Sequence, residues 1–216
     1  MDLITLTNPR SAAAEAYRTL RTNLMFSGVD TMLRRIAVTS PLGLEDKSLA
    51  LANLAVTLAQ GERQTLIVDA DLRQPAQHLL WGIENTRGFT DMILDEAAFN
   101  NPPLQSTPVV GLSVLPSGAL PANPADVLAS RRMDDVITRL SELAEYILFD
   151  VPPVLAATDA AVFGRKLDGV LLVIRAGKTR RDQTARAKEQ LERVQVNIVG
   201  AVLTNAPGVK NSYGRS

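Results

Sequence analysis

Leu66-Ile67-Val68-Asp69-Ala70-Asp71-Leu72-Arg73 decides the reading of this chain: an apolar run of strand type that ends in two carboxylates one residue apart and then a cation. Open α/β sheets bind ligands at the carboxyl ends of their strands, so a strand that delivers acids there marks a site. A second apolar run, Tyr146-Ile147-Leu148-Phe149-Asp150-Val151-Pro152-Pro153, also ends in an aspartate. A third, Arg35-Ile36-Ala37-Val38-Thr39-Ser40, enters a loop that closes on Lys47-Ser48. Lysine, hydroxyl and carboxylates at three strand ends point to a nucleotide and magnesium site.

Around these runs, strand and helix alternate. Buried strands are expected at about 34–40, 65–70, 112–116, 146–150, 169–175 and 197–203, and helices at 11–27, 47–60, 124–143, 157–165 and 180–194. That order predicts an α/β fold, a mainly parallel sheet with helices on both faces. The segment Leu49 to Gln60 is apolar on most faces, as a helix packed on a sheet must be, and Gly61 supplies its stop. Residues 98–124 carry six prolines and read as a surface excursion with one short strand inside. The tail from Asn205 to Ser216 is polar and without periodicity, and is expected to be mobile.

The 216 residues, 46% of them hydrophobic, suit a single domain with one substantial core. Lys plus Arg (23) balance Asp plus Glu (23), so net charge gives no reason to expect nucleic-acid binding. The absence of cysteine excludes disulfides and thiolate metal sites. The amino terminus lacks a basic segment followed by a long apolar run, and no apolar stretch approaches the roughly 20 residues of a spanning helix. A cytoplasmic location without direct membrane insertion is expected, any membrane association coming through a partner.

Ser40-Pro41-Leu42-Gly43-Leu44-Glu45-Asp46-Lys47-Ser48 occupies the place of a phosphate loop. In the pattern G-x-x-x-x-G-K-[ST], glycines let backbone amides approach phosphate, the lysine reaches the terminal phosphates and the hydroxyl binds magnesium. Lys47 and Ser48 fit, whereas Pro41 and Asp46 stand where the pattern has glycine. A carboxylate about 4 Å from a phosphate charge costs on the order of 4 kcal/mol at an effective dielectric of 20. The cost falls if Asp46 points to solvent, pairs with a cation or contacts magnesium; a plain turn with an exposed acid and lysine is the alternative. Asp69 and Asp71 read either as magnesium-supporting and proton-accepting acids or as caps of the following turn. Asp150 divides in the same way between magnesium and turn formation, and His78 is assigned no role.

Together these stretches resemble the bacterial tyrosine kinases of capsule and exopolysaccharide assembly, a P-loop family of the Min/Par-like branch. Glu15-Ala16-Tyr17-Arg18-Thr19-Leu20-Arg21 is similar to that family's E-x-x-R-x-x-R helix. Leu115 to Pro124 resembles its proline-rich segment, and Gly169–Thr179 and Asn197–Asn205 resemble its last two strands. The resemblance runs from about residue 11 to 207. It implies that Gly43, Leu44, Glu45, Asp46, Lys47, Ser48 and Leu49 bind ATP or ADP, and that Ser48, Asp71 and Asp150 surround Mg2+. It further implies that Lys47, Asp69 and Asp71 act in transfer of the γ-phosphoryl group to tyrosine hydroxyls. Glu15, Arg18 and Arg21 would join subunits into a ring, and the partner would be a membrane polysaccharide co-polymerase or adaptor. The spacing of those three residues alone is equally that of a solvated charged face. The family's tyrosine-rich tail is reduced here to Tyr213, the implied phosphoacceptor. Two further functions compete: a ring-forming regulatory module with weak or no catalysis, favoured by Asp46 and the sparse tail, and a Min/Par-type partition ATPase.

Overall fold

Residue-by-residue alternation on the central strands builds two apolar layers. The computed structural model describes residues 2–26, 32–43 and 46–206. Its strands are β1 (Arg35–Thr39), β2 (Thr65–Asp69), β3 (Gln105–Ser106), β4 (Leu112–Leu115), β5 (Tyr146–Asp150), β6 (Gly169–Arg175) and β7 (Ile198–Thr204). They form one sheet in the order β3-β4-β2-β5-β1-β6-β7, parallel except for the β3–β4 pair. Ala37, Leu66, Val68, Ile147, Phe149, Val170 and Leu172 face one core, while Ile36, Val38, Ile67, Leu148, Leu171 and Val173 face the other. A parallel sheet buried on both faces needs helices on both, as the sequence predicts.

One face carries α1 (Ile4–Thr7), α2 (Ala12–Phe26), α3 (Lys47–Gln60) and α4 (Gln77–Trp81). The other carries α5 (Phe89–Leu94), α6 (Glu96–Asn100), α7 (Pro124–Ala129), α8 (Arg132–Ser141), α9 (Asp159–Gly164) and α10 (Arg181–Arg193). α3 is buried from Ala50 through Ala59, and fully burying each of Leu51, Leu54 and Leu58 is worth about 1.5–3 kcal/mol. This central helix therefore cannot shift without taking Lys47 and Ser48 with it.

Gly61 does stop α3, but not by a left-handed turn: its φ is −87°, and the positive φ falls on Glu62. A side chain at Gly61 would stand 2.8 Å from Arg21 Nη1, whose guanidinium donates to Thr57 O at 2.8 Å. A side chain there would displace the arginine that α2 lays across the end of α3 and crowd Leu58 O at 3.2 Å.

Two expectations are corrected. The helix expected over 124–143 is split at Ser130, whose extended backbone (φ −61°, ψ 155°) ends α7 before α8 begins. The expected surface excursion is partly core, since Pro116, Ser117 and Gly118 are buried beyond β4. Phe89 N donates to Pro116 O at 2.8 Å and Thr90 N to Ser117 O at 3.0 Å, so the start of α5 takes up carbonyls that a surface loop would give to water. The short helices α1, α4, α5 and α6 and the two-residue β3 were not foreseen; four to six residues are too few to display a helical period, and two too few to display alternation.

Candidate active site

The sheet order brings the carboxyl ends of β2, β5 and β1 side by side, with Asp69 opposite Asp150 in register and Asp150 opposite Val38. The loop after β1 is fastened to the loop after β5: Val154 N donates to Ser40 O at 2.8 Å, Leu155 N to Pro41 O at 3.2 Å and Thr39 Oγ1 to Pro152 O at 2.7 Å. Pro152 has no N–H, so its carbonyl takes part where its nitrogen cannot.

Lys47, the first residue of α3, crosses to the two neighbouring strand ends. Its Nζ lies 2.6 Å from Asp150 Oδ1 and 2.9 Å from Asp71 Oδ2. Lys47 is 9% exposed, Asp71 2%, and Asp69 and Asp150 are fully buried. Burial disfavours the ammonium, but the Asp150 and Asp71 carboxylates more than offset it and hold Lys47 protonated, above its ordinary range. Ser48, half-buried at the next position, has its hydroxyl 3.4 Å from Lys47 Nζ.

Asp69 and Asp71 do the capping that their positions suggest and keep an oxygen for more. Asp69 Oδ2 accepts from Ala76 N at 2.9 Å and Gln77 N at 2.8 Å, while its buried Oδ1 has no hydrogen-bond partner among the described residues. Asp71 Oδ1 accepts from Gln74 N at 3.0 Å and Arg73 N at 3.3 Å. Burial, then the charge of Asp150, pushes the Asp69 carboxyl up to about 8, against the lowering effects of the Gln77 amide and Lys47. An acid so shifted, beside a lysine at a strand end, has the proton affinity of a general base near neutral pH.

Asp46 adopts the left-handed conformation (φ 55°, ψ 30°) that a glycine takes readily at such a position. Aspartate is among the residues that tolerate it, so the backbone at position 46 takes a glycine-type conformation without a glycine. Its carboxylate does not cap α3 but pairs with Arg175 from the end of β6 at 3.1 Å. Of the remaining loop positions, Gly43 is exposed and Leu49 is half-buried against the α3-side core. Leu44 and Glu45 lie outside the described residues.

A hard divalent cation fits this chemistry. The orphaned Asp69 oxygen, the Asp71 and Asp150 carboxylates and the Ser48 hydroxyl are oxygen donors. A small cation of this kind keeps waters and phosphate oxygens among its ligands and needs few protein donors.

No family model matches the chain. Tyrosine-protein kinase YwqD of Bacillus subtilis is 38% identical over 214 residues, covering 99% of this chain and 90% of that protein. The chain belongs to the bacterial tyrosine-protein kinase family. Putative tyrosine-protein kinase CapB of Staphylococcus aureus is 34% identical over 204 residues, covering 94% of this chain and 89% of CapB. Among solved structures, the kinase domain of Escherichia coli tyrosine kinase ETK superposes with a TM-score of 0.90 at 30% identity, covering 100% of this chain and 86% of that one. The chimerical protein CapA2B2 also gives 0.90, at 32% identity over 95% of this chain and 90% of its own. The cell division ATPase MinD of Pyrococcus furiosus is more distant, with a TM-score of 0.65 at 28% identity over 80% of this chain and 72% of MinD. The tyrosine-kinase domains are therefore nearer than the partition-type ATPase that competed with them.

Within this kinase domain, two site residues escaped the sequence reading. Gln77 is fully buried, donates through Nε2 to Asp150 Oδ2 at 2.7 Å and to Ser48 O at 3.2 Å, and accepts from Trp81 Nε1 at 3.2 Å. A glutamine eight residues past Asp69 belongs to no motif, and only the fold shows it bridging two strand ends. Asp159, also fully buried, takes a two-pronged contact from Arg73, Nε at 2.8 Å and Nη2 at 3.0 Å.

The candidates on α2 make their contacts apart from the cluster. On α2, Arg18 Nη1 contacts Glu15 Oε2 at 2.7 Å and its Nη2 donates to Pro9 O at 2.6 Å, while Arg21 is engaged by Thr57. Tyr213 and the tail from Pro207 lie outside the described residues.

Proposed function

We propose that this kinase domain transfers the γ-phosphoryl group of ATP to tyrosine hydroxyls and thereby regulates polymerisation and export of capsular or extracellular polysaccharide. The observation that carries the reading is the placement of Lys47 Nζ within 2.6 Å and 2.9 Å of carboxylates from two further strand ends, at the start of a buried helix. Backbone amides at the start of α3 cradle phosphate oxygens there. Lys47 exchanges a carboxylate for a phosphate oxygen when nucleotide arrives, and its fixed charge offsets the one developing on the transferred group. Ser48, Asp71 and Asp150 would hold Mg2+, which when bound neutralises phosphate charge. Asp69, with its raised proton affinity and unpartnered oxygen, accepts the tyrosine proton, with Asp71 beside it orienting the attacking group.

Of the chain's three tyrosines, Tyr146 is buried in β5 and Tyr17 is half-buried on α2, which favours Tyr213 as the acceptor within the chain. Glu15 and Arg18 form the open part of a subunit contact in a ring, with Arg21 fixing α2 to its own α3. The expected partner is a membrane polysaccharide co-polymerase or adaptor, which recruits the domain to the inner face of the plasma membrane. The similarity to a chimera of two Cap proteins supports association with such a partner. No helix among the described residues is long and apolar enough to cross a membrane.

The test is magnesium-dependent transfer of labelled γ-phosphate to the chain, with Lys47→Met as blank and Tyr213→Phe to locate the acceptor. Label that disappears in both variants supports the reading. Nucleotide binding without any transfer, to this chain or to an added tyrosine peptide, favours the regulatory ring module to which Asp46 points.

A further inference from the structure

Asp46 places a negative charge immediately before Lys47, at the mouth of a helix whose free amides attract anions. An unneutralised carboxylate there repels the phosphates that the site is read to bind. The cation that answers it is not Lys47, which is committed to Asp71 and Asp150, but Arg175.

Arg175 is held by its backbone on two sides. Its N–H donates to Thr179 Oγ1 at 3.0 Å, and its carbonyl accepts from Lys178 N at 3.2 Å and Thr179 N at 3.0 Å. It also pairs in register with Thr204 of β7, and Ala176 N donates to Thr204 O at 2.9 Å. β6 lies beside β1, whose end feeds the phosphate loop. From that anchored position Nη1 spans both oxygens of Asp46, at 3.1 Å and 3.3 Å. On the α2 side stands Tyr17, whose hydroxyl is pushed up to about 12 by burial and then by the charge of Asp46.

We infer that Arg175 is an affinity-determining residue of this site: it neutralises Asp46 and turns its carboxylate aside, so that a loop without its glycine still accepts nucleotide phosphate. The inference rests on the nucleotide-binding reading above. It assigns the backbone function of the missing glycine to the left-handed Asp46 and the repair of its charge to Arg175. Arg175 thus acts through Asp46, as a positioning residue.

The experiment is calorimetric titration of ADP and ATP with magnesium into the full chain and into Arg175→Leu, Arg175→Lys, Asp46→Gly and the double variant Asp46→Gly/Arg175→Leu. Arg175→Leu is expected to weaken binding at least about tenfold, and Arg175→Lys less. In the Asp46→Gly background the same Arg175 change is expected to cost no more than about threefold, because no Asp46 charge is left to neutralise and the field of a part-exposed cation is screened by solvent. Melting curves without nucleotide check folding, and Arg175→Lys carries the comparison if the leucine variant is misfolded. Binding by Arg175→Leu within about twofold of the parent overturns the inference. An equal loss in both backgrounds also overturns it, since Arg175 would then contact phosphate directly. A parent chain that binds only as Asp46→Gly shows that the pair fails to neutralise, which sinks the inference and leaves the nucleotide site standing. No binding in any background sinks the nucleotide reading itself and this inference with it.

Discussion

The Gln77 side-chain amide donates to Asp150 Oδ2 at 2.7 Å while its backbone N–H donates to Asp69 Oδ2 at 2.8 Å, so one buried residue ties the acids of β2 and β5 together. Each aspartate is left with its other oxygen for the site: Oδ1 of Asp150 meets Lys47, and Oδ1 of Asp69 is unpartnered. Replacing Gln77 by Leu strips a donor from a fully buried carboxylate. The expected cost is about 1–3 kcal/mol of folding stability, read by urea unfolding, together with a lower γ-phosphoryl transfer rate. A variant as stable and as active as the parent would remove Gln77 from the site.

Lys47→Met leaves Asp71, Asp150 and Asp69 as neighbouring acids with no ammonium between them. Breaking a buried pair by removing one member typically costs about 3–5 kcal/mol, because the remaining charge stays buried without compensation. We therefore expect a clear loss of stability alongside loss of nucleotide binding. Lys47→Met/Asp150→Asn should recover part of the stability and none of the binding, a split that urea unfolding and calorimetry on the same samples resolve.

Arg73→Ala exposes a different dependence. Asp159 is fully buried at the start of α9 and pairs with Arg73, although Arg73 itself is 43% exposed. Solvent reaches the arginine side and moderates the loss, which places the expected destabilisation at about 1–2 kcal/mol, below that for a fully buried pair. The hydrogen bonds that Arg73 donates to Asp159 also raise the proton affinity of its guanidinium above the ordinary value. Asp159→Asn/Arg73→Ala should cost less than Arg73→Ala alone.

The sequence carried the sheet because its central strands are short apolar runs buried on both faces, and the acid-bearing strand ends of β2 and β5 were readable one residue at a time. It carried Lys47 and Ser48 because a phosphate loop is a local pattern. Gln77, Asp159 and Arg175 were not legible, since each acts on a residue 73, 86 or 129 positions away. Pairings of that kind arise from strand order, which no local pattern encodes. The same limit explains Pro116 to Gly118: prolines announce a turn, but only the contact with Gly88 and Thr90 shows that the turn is buried.

Asp168 gives the pH dependence. Burial opposes its charge, but the Arg35 side chain and the backbone N–H groups of Arg35 and Arg34 outweigh it and hold the carboxyl below its usual range. A carboxyl depressed in the folded state contributes stability that is present above its unfolded value, near 3.9, and is lost as pH falls through the folded value. Asp168→Asn should accordingly lower the urea midpoint at neutral pH, and its deficit relative to the parent should shrink as pH drops below the ordinary Asp range. A deficit that stays constant down through acid would mean that the Arg35 contact contributes nothing through charge.

Gly88→Ala tests the crossing that brings the proline-rich segment into the core. A Cβ at Gly88 would stand 2.0 Å from Pro116 O and 2.4 Å from Gly118 N, both backbone atoms that no rotamer change can move. Relief requires the two chain segments to separate, which breaks the bonds from Phe89 N to Pro116 O and from Thr90 N to Ser117 O. Together with the overpacking itself, this places the expected loss above about 3 kcal/mol, in the range where single substitutions unfold a marginal domain. Gly82→Ala is the control: its φ is +64° but its Cβ would meet nothing within 4 Å, so only the backbone strain of about 1–2 kcal/mol remains. Equal melting temperatures for the two variants would show that the Gly88 crossing is not tight in solution.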